Sequence, residues 1–305
     1  MASVFTECKE QLGFGRTMAG LAPLDVESVI AGLAADPDAQ VLAGGTDFMV
    51  EVNCGHRRPR SVISLRRVAE MQQWSVEGEV VRIGAGVPYS RIERGAIAEL
   101  APCLAQAART VGSPQIRNAG TIGGNLATAS PAGDTLPPLA ALEATVEVAG
   151  PDGRRRLRID ELVVGPKRTS LDGGELIVSV DVPIVAGHQE YLKVGTRNAM
   201  VISIAGVALV MDVAGRSIRC ALGSVGPVPI RATGAEAFVT GRIDWDAGRL
   251  SDDDAAAFGV MVAEASRPID DHRSSAEYRR HAIDVCARRA IRRAVDAFPA
   301  GSGGP

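Results

Sequence analysis

Apolar positions recur along this chain at two spacings, and the alternation between them sets out the elements. Asp25 to Ala35 reads as a helix, and Val41 to Ala43, Ser61 to Leu65 and Val80 to Ala85 as short strands, the last with period-two alternation. Ile92 to Thr110 predicts a helix broken near Pro102, and Leu136 to Glu143 a further helix. Ala144 to Ala149 and Arg154 to Ile159 form a hairpin pattern around Asp152 and Gly153. A strand-like run, Glu175 to Val182, ends in a proline, glycine and histidine stretch near 183–187, which marks a boundary. Beyond it Tyr191 to Arg197, Ser203 to Val213 and Ser217 to Val225 predict a three-stranded antiparallel meander. Helices close the chain: Ser251 with Asp254 and Ser274 with Glu277 have capping-box spacing, and Ile283, Ala287, Ala290, Ile291 and Ala294 share one helical face. The pattern is α+β, divided into residues 1–183, residues 188–298 and a disordered tail, 299–305.

Two segments break the apolar pattern. Residues 112–134 gather glycines, small hydroxyls and amides where a core element needs apolar side chains, with Gly120, Gly123 and Gly124 within five positions. Such a loop exposes backbone N–H groups, permits positive φ and approaches phosphate oxygens without Cβ obstruction. In the second segment, Val41 to Val50, a glycine pair is followed by Thr46 and Asp47, and the whole reads as strand, tight turn and helix start. Thr46 or Asp47 can cap that helix, while the Gly44 and Gly45 amides face an anion. A plain turn is the alternative for each loop alone. Together they point to a doubly charged ligand such as a dinucleotide diphosphate.

Two familiar phosphate grips are excluded. Gly84, Ala85 and Gly86 start a Rossmann-like fingerprint, but Tyr89 stands where its third glycine belongs, and no Gly-Lys dipeptide exists for a P-loop. A net charge of −3 argues against nucleic acid as partner, and 4% aromatic residues leave few stacking platforms. The scattered cysteines, Cys8, Cys54, Cys103, Cys220 and Cys286, have no spacing suited to zinc or an iron–sulfur cluster, and reduced thiols make the cytoplasm the expected compartment. No signal peptide is read in residues 1–16, and the longest apolar run, Val201 to Met211, is too short to span a bilayer. The histidines pair with no nucleophile, so no catalytic triad is expected. Arg279, Arg280, Arg288, Arg289, Arg292 and Arg293 read as a solvated helix face, with a partner-subunit contact as the alternative.

The residues Gln115 to Asn118, Gly120 to Asn125, Ala129 to Pro131 and Asp134 closely resemble the FAD-binding segment of the flavoprotein (medium) subunits of molybdenum hydroxylases. That family includes xanthine dehydrogenase, aerobic carbon monoxide dehydrogenase and hydroxybenzoyl-CoA reductase. Ala43 to Asp47 resembles its first flavin loop, and the likeness continues through Tyr191 and Lys193, Ala221 to Val225, Pro229 to Ala232, and Asp271 to Arg279. The resemblance implies a two-subdomain FAD-binding domain followed by a small sheet with helices. It implies cofactor-binding roles for Val41, Leu42, Ala43, Gly44, Gly45, Thr46, Asp47, Phe48, Thr121, Ile122, Gly123, Gly124, Asn125 and Asp134, with Val111 and Gly112 close by. Ile177 and Lys193 match positions near the flavin ring; the alternatives are a core strand residue and an exposed lysine. The family further implies a large molybdenum-cofactor chain, a small chain with two [2Fe–2S] clusters and assembly as a dimer of heterotrimers. This chain would take electrons onto FAD and pass them to NAD⁺, a quinone or dioxygen. Asn198 to Val201 lacks an acidic residue common near the flavin, which weakens the case for NAD⁺. A freestanding flavin oxidase and a passive FAD-binding module are the rival classes, but no acid–base cluster is seen in the second domain.

Overall fold

Asp25 accepts a hydrogen bond from the Ser28 N–H at 2.7 Å and so starts the first helix, Val26–Ala35, whose buried Val26, Val29 and Leu33 face the core. A computed structural model describes residues 19–298; the expectations for the N-terminal stretch and for the tail lie outside the described residues. The first helix accompanies a three-stranded parallel sheet in which Ser61–Ser64 lies between Ala19–Leu21 and Gln40–Leu42. A second, wholly antiparallel sheet has the order Trp74–Glu77, Val80–Gly84, Leu176–Pro183, Thr145–Gly150, Gly153–Arg158. The expected hairpin at Asp152 and Gly153 is present, with Gly153 at φ +110°.

Between and beside these sheets run short helices. The helix expected from Ile92 to Thr110 is divided into Tyr89–Ile92, Ala96–Leu100 and Pro102–Thr110. Gly95 at φ +67° separates the first two, and Pro102, lacking an N–H, opens the third. The glycine-rich stretch, expected as a loop, carries two helices, Pro114–Ala119 and Ile122–Thr128, capped by the Ser113 and Thr121 hydroxyls. Ile122 and Leu126 anchor the second in the core, a one-turn apolar signal too short to read beside so much glycine.

The third sheet is an antiparallel meander of Gln189–Val194, Ala205–Asp212 and Ser217–Gly223, extended by Ile230–Arg231. The fourth strand corrects the three-stranded expectation: two residues behind Pro227 and Pro229 are too few to show alternation. This sheet is covered on both faces. Tyr191, Ala208, Val210 and Ala221 join the core of the first two sheets, while Val207, Leu209, Met211, Cys220 and Leu222 pack with the closing helices Thr233–Thr240, Asp252–Ala265 and Ala276–Asp296.

Ser251 caps its helix as expected, but Ser275 rather than Ser274 caps the last one, accepting from the Tyr278 N–H at 3.2 Å. Arg279 departs from the solvated-face expectation. It is buried, donates to the carbonyls of Ile204 and Ser224 and pairs with Asp271 at 2.8 Å, fastening the last helix to the loops that flank the meander. Among the described residues no helix is long and apolar enough to cross a membrane, and no group of three histidine, cysteine or acidic side chains could hold a metal.

Candidate functional site

The two glycine-bearing segments, some eighty residues apart, meet. Gly44 lies so close to the neighbouring turn that a Cβ there would stand 1.9 Å from the Ala119 carbonyl oxygen and 2.9 Å from the Gly120 Cα. A side chain would force the segments apart, so glycine is required here for close approach. Gly45, at φ +75°, is required by its backbone conformation instead. Asp47 ties the segments further, its carboxylate accepting from the Thr128 hydroxyl at 3.3 Å.

This junction walls a cleft of about 380 Å³. Val41, Ala43, Gly44, Gly45, Thr46, Asp47 and Phe48 line one side, Thr121, Gly123, Gly124 and Asn125 another, and Ile177 closes it from the five-stranded sheet. The N–H groups of Gly44, Gly45, Thr46 and Asp47 have no acceptor among the described residues. Four adjacent unpaired donors bordering a cleft form a ready seat for anionic oxygen. Asp47 precedes helix Phe48–Asn53, but neither its side chain nor that of Thr46 caps it.

The second segment works differently from the expectation. Gly123 and Gly124 have no positive φ, and the N–H groups of Ile122, Gly123, Gly124 and Asn125 already bond Val87 O, Ala85 O, the Thr121 hydroxyl and Thr121 O. Gly123 is needed because a Cβ would come within 2.5 Å of the Ala85 Cβ. The segment therefore supplies closeness and a helix start, and the first segment supplies the open donors.

The remaining expected residues stand away from the cleft lining. Leu42 belongs to the parallel sheet, and Ile122 is fully buried. Val111 and Gly112 form a turn, Gly112 at φ +47°, whose two carbonyls accept from the Arg117 guanidinium at 3.4 and 3.2 Å. Beside it Asp134 and Lys193 form a buried pair at 2.7 Å. The Lys193 ammonium also donates to the Thr110 carbonyl at 3.1 Å, and the Tyr191 hydroxyl donates to the other Asp134 oxygen at 3.0 Å. Burial pushes the Asp134 carboxyl up, against the downward pull of Lys193, Tyr191 and Thr110. Lys193 is thus not the exposed lysine of the alternative. This cluster reaches the cleft through the next residue, Thr135, whose hydroxyl donates to the Asn125 side-chain carbonyl at 2.6 Å.

Several lining residues had no sequence signal. Tyr89, Met71, Leu65 and Ala85 lie on the cleft, and Arg57 and Lys167 stand at its edge, each paired with Glu51, at 2.9 and 3.6 Å. Arg57 also sits over the Phe48 ring, 4.9 Å from its centre. Lys167 lies in a turn that only the fold brings to the end of helix Ile122–Thr128, where its N–H bonds Ala129 O.

The open donors and the glycine-dependent closeness fit a flavin dinucleotide, and the comparisons agree. Residues 16–185 match the family described as FAD binding domain in molybdopterin dehydrogenase, and 190–294 match the CO dehydrogenase flavoprotein C-terminal domain. The nicotine 6-hydroxylase medium subunit of Paenarthrobacter nicotinovorans is 33% identical over 274 residues, 88% of this chain and 94% of that one. The carbon monoxide dehydrogenase medium chain of Hydrogenophaga pseudoflava is 31% identical over 262 residues, 83% of this chain and 88% of its own length. The crystal structure of quinoline 2-oxidoreductase from Pseudomonas putida 86 superposes with TM-score 0.84 at 28% identity, covering 92% of this chain and 97% of that one. The chain therefore belongs to the FAD-binding medium subunits of the molybdenum hydroxylase family, flavoproteins of the xanthine and carbon monoxide dehydrogenase type.

Proposed function

We propose that this subunit is the electron outlet of a three-chain oxidoreductase. It receives electrons from [2Fe–2S] clusters of a small partner chain, which are reduced in turn by a large molybdenum-cofactor chain. It delivers them through FAD to an external acceptor such as NAD⁺, a quinone or dioxygen. The assembly is a dimer of heterotrimers in the cytoplasm. The observation that carries this reading is the run of open N–H donors from Gly44 to Asp47, set on a cleft shared with Thr121 to Asn125.

FAD, when bound, supplies the exchange between one- and two-electron carriers. The protein's own work is positional. The Gly44 to Asp47 amides would hold the diphosphate oxygens, and Thr121 to Asn125 would line the diphosphate and ribityl stretch. Ile177, on the five-stranded sheet, would bound the space for the ring. Lys193 and Asp134, a buried pair next to the Thr110 to Gly112 turn and behind the cleft lining, would contribute fixed charge near the ring rather than direct hydrogen bonds. No acid–base pair is needed in the cleft, because this subunit makes and breaks no substrate bond.

Flavin absorbance at 450 nm tests the reading. Bleaching by the enzyme's reducing substrate in the co-expressed complex, but not in the isolated chain, is expected. Bleaching of the isolated chain by an organic substrate makes it a freestanding oxidase instead, and no bleaching in either refutes electron transfer.

A further inference from the structure

Tyr89 is a buried lining residue whose hydroxyl takes part in none of the interactions described above. The residue is 4% exposed and borders the cleft, and its hydroxyl makes no hydrogen bond to another described residue and is not sealed from solvent. Buried tyrosine hydroxyls ordinarily find a partner, because burial without one costs a donor its hydration.

The obvious internal acceptors are already engaged. Both Asp134 oxygens accept from Tyr191 and Lys193, and Asp47 accepts from Thr128. The ring cannot swing away to find another. The Tyr89 N–H bonds the Gly120 carbonyl at 3.1 Å, and a Cβ on Gly120 would come within 2.9 Å of the ring's Cε2. Gly120 is thus the notch into which the ring is set, immediately beside the Gly44 contact.

We propose that the Tyr89 hydroxyl is a cofactor-binding group, donating a hydrogen bond to a diphosphate oxygen of the dinucleotide. Its position, under the turn where the two glycine segments touch, places it with the Gly44 to Asp47 amides on the diphosphate stretch. Burial and the nearby carboxylates of Asp47 and Asp134 hold its proton on, so it stays a neutral donor at any working pH. A neutral donor suits this place, since it adds affinity for the anion without a further charge near the flavin.

The inference rests on the FAD reading, and one experiment separates the two. The full chain, wild type and Tyr89→Phe, is stripped of flavin and titrated with FAD, and bound FAD is then competed with ADP or with riboflavin. Wild type that refuses FAD sinks the functional reading itself. With wild type binding, the Phe variant is expected to lose about ten- to a hundredfold in affinity for FAD and for ADP, with riboflavin unaffected. Its apo melting temperature should be unchanged or slightly raised, since an unpaired hydroxyl has been removed. Equal FAD affinity in the two proteins overturns the proposal. A loss for FAD with none for ADP overturns the diphosphate assignment.

Discussion

Gly44→Ala is the sharpest probe of the two-segment cradle. The added Cβ would lie 1.9 Å from the Ala119 oxygen and 2.7 Å from the Ala119 carbonyl carbon, both backbone atoms that cannot rotate away. Ordinary carbon–oxygen contact needs about 3.3 Å, so the segments must part by about 1.4 Å. A hydrogen bond of about 2.9 Å from an amide to a phosphate oxygen does not survive that shift. Losing one or two charge-assisted bonds costs about 2–4 kcal/mol, which is about 30- to 900-fold in affinity. The assay is FAD per chain after purification, followed by calorimetric titration of the stripped protein, with circular dichroism to show that the fold is kept. Gly234→Ala, in the helix Thr233–Thr240 and off the cleft lining, is the control, because its Cβ meets nothing within 4 Å. Its expected loss is at most about threefold. If Gly44→Ala binds FAD as tightly as wild type, the segments are not held at this distance and the account of the cradle fails.

Three further outcomes are expected. Lys193→Met leaves the Asp134 carboxylate buried without its cation, raising its folded-state pKa further above the unfolded value. The variant's deficit should therefore be small below about pH 4, grow as pH rises through the folded pKa, and reach about 3–5 kcal/mol at pH 8; equal melting deficits at pH 5 and pH 8 would contradict this. Arg279→Ala strands the carbonyls of Ile204 and Ser224 and the Asp271 carboxylate, and should lower the urea midpoint by the equivalent of about 3 kcal/mol, whereas a truly solvated arginine would give less than about 0.5. Asp271 is held down to about 2, first by the Arg273 N–H and also by Ser274 and Arg279. Its contribution is present above the unfolded carboxylate range and lost as pH falls toward 2, so Asp271→Asn should flatten the acid side of the stability profile, as read by urea unfolding between pH 5 and pH 2.5.

Much of this was legible in the residues. Strands with strict alternation or flanking turn residues, such as Val80–Gly84 and Thr145–Gly150 with its hairpin, fall within a residue or two of expectation. The segments of the cleft were legible because glycine runs mark close backbone approach. Which kind of approach was not, since steric need at Gly44 and Gly123 and positive φ at Gly45 look alike in sequence. Tyr89, Arg57 and Lys167 were invisible for a different reason: each sits on a separate element and reaches the cleft only through tertiary contact. Arg279 misled because its helix neighbours at 280, 289 and 292 do face water, and a buried arginine carries no local mark that sets it apart from them.

The strand Gln189–Val194 belongs to one family module by sequence and by its ladder, yet it is also bonded to the other. Its Tyr191 and Lys193 hold Asp134, and its Tyr191 N–H donates to the Gln106 side-chain oxygen at 2.7 Å. Recombination between relatives is therefore constrained to crossover points that a comparison of module boundaries would not choose. A chimaera joined near residue 187 inherits its carboxylate from one parent and that carboxylate's keepers from the other, whereas one joined past Val194 transmits the whole set from a single ancestor.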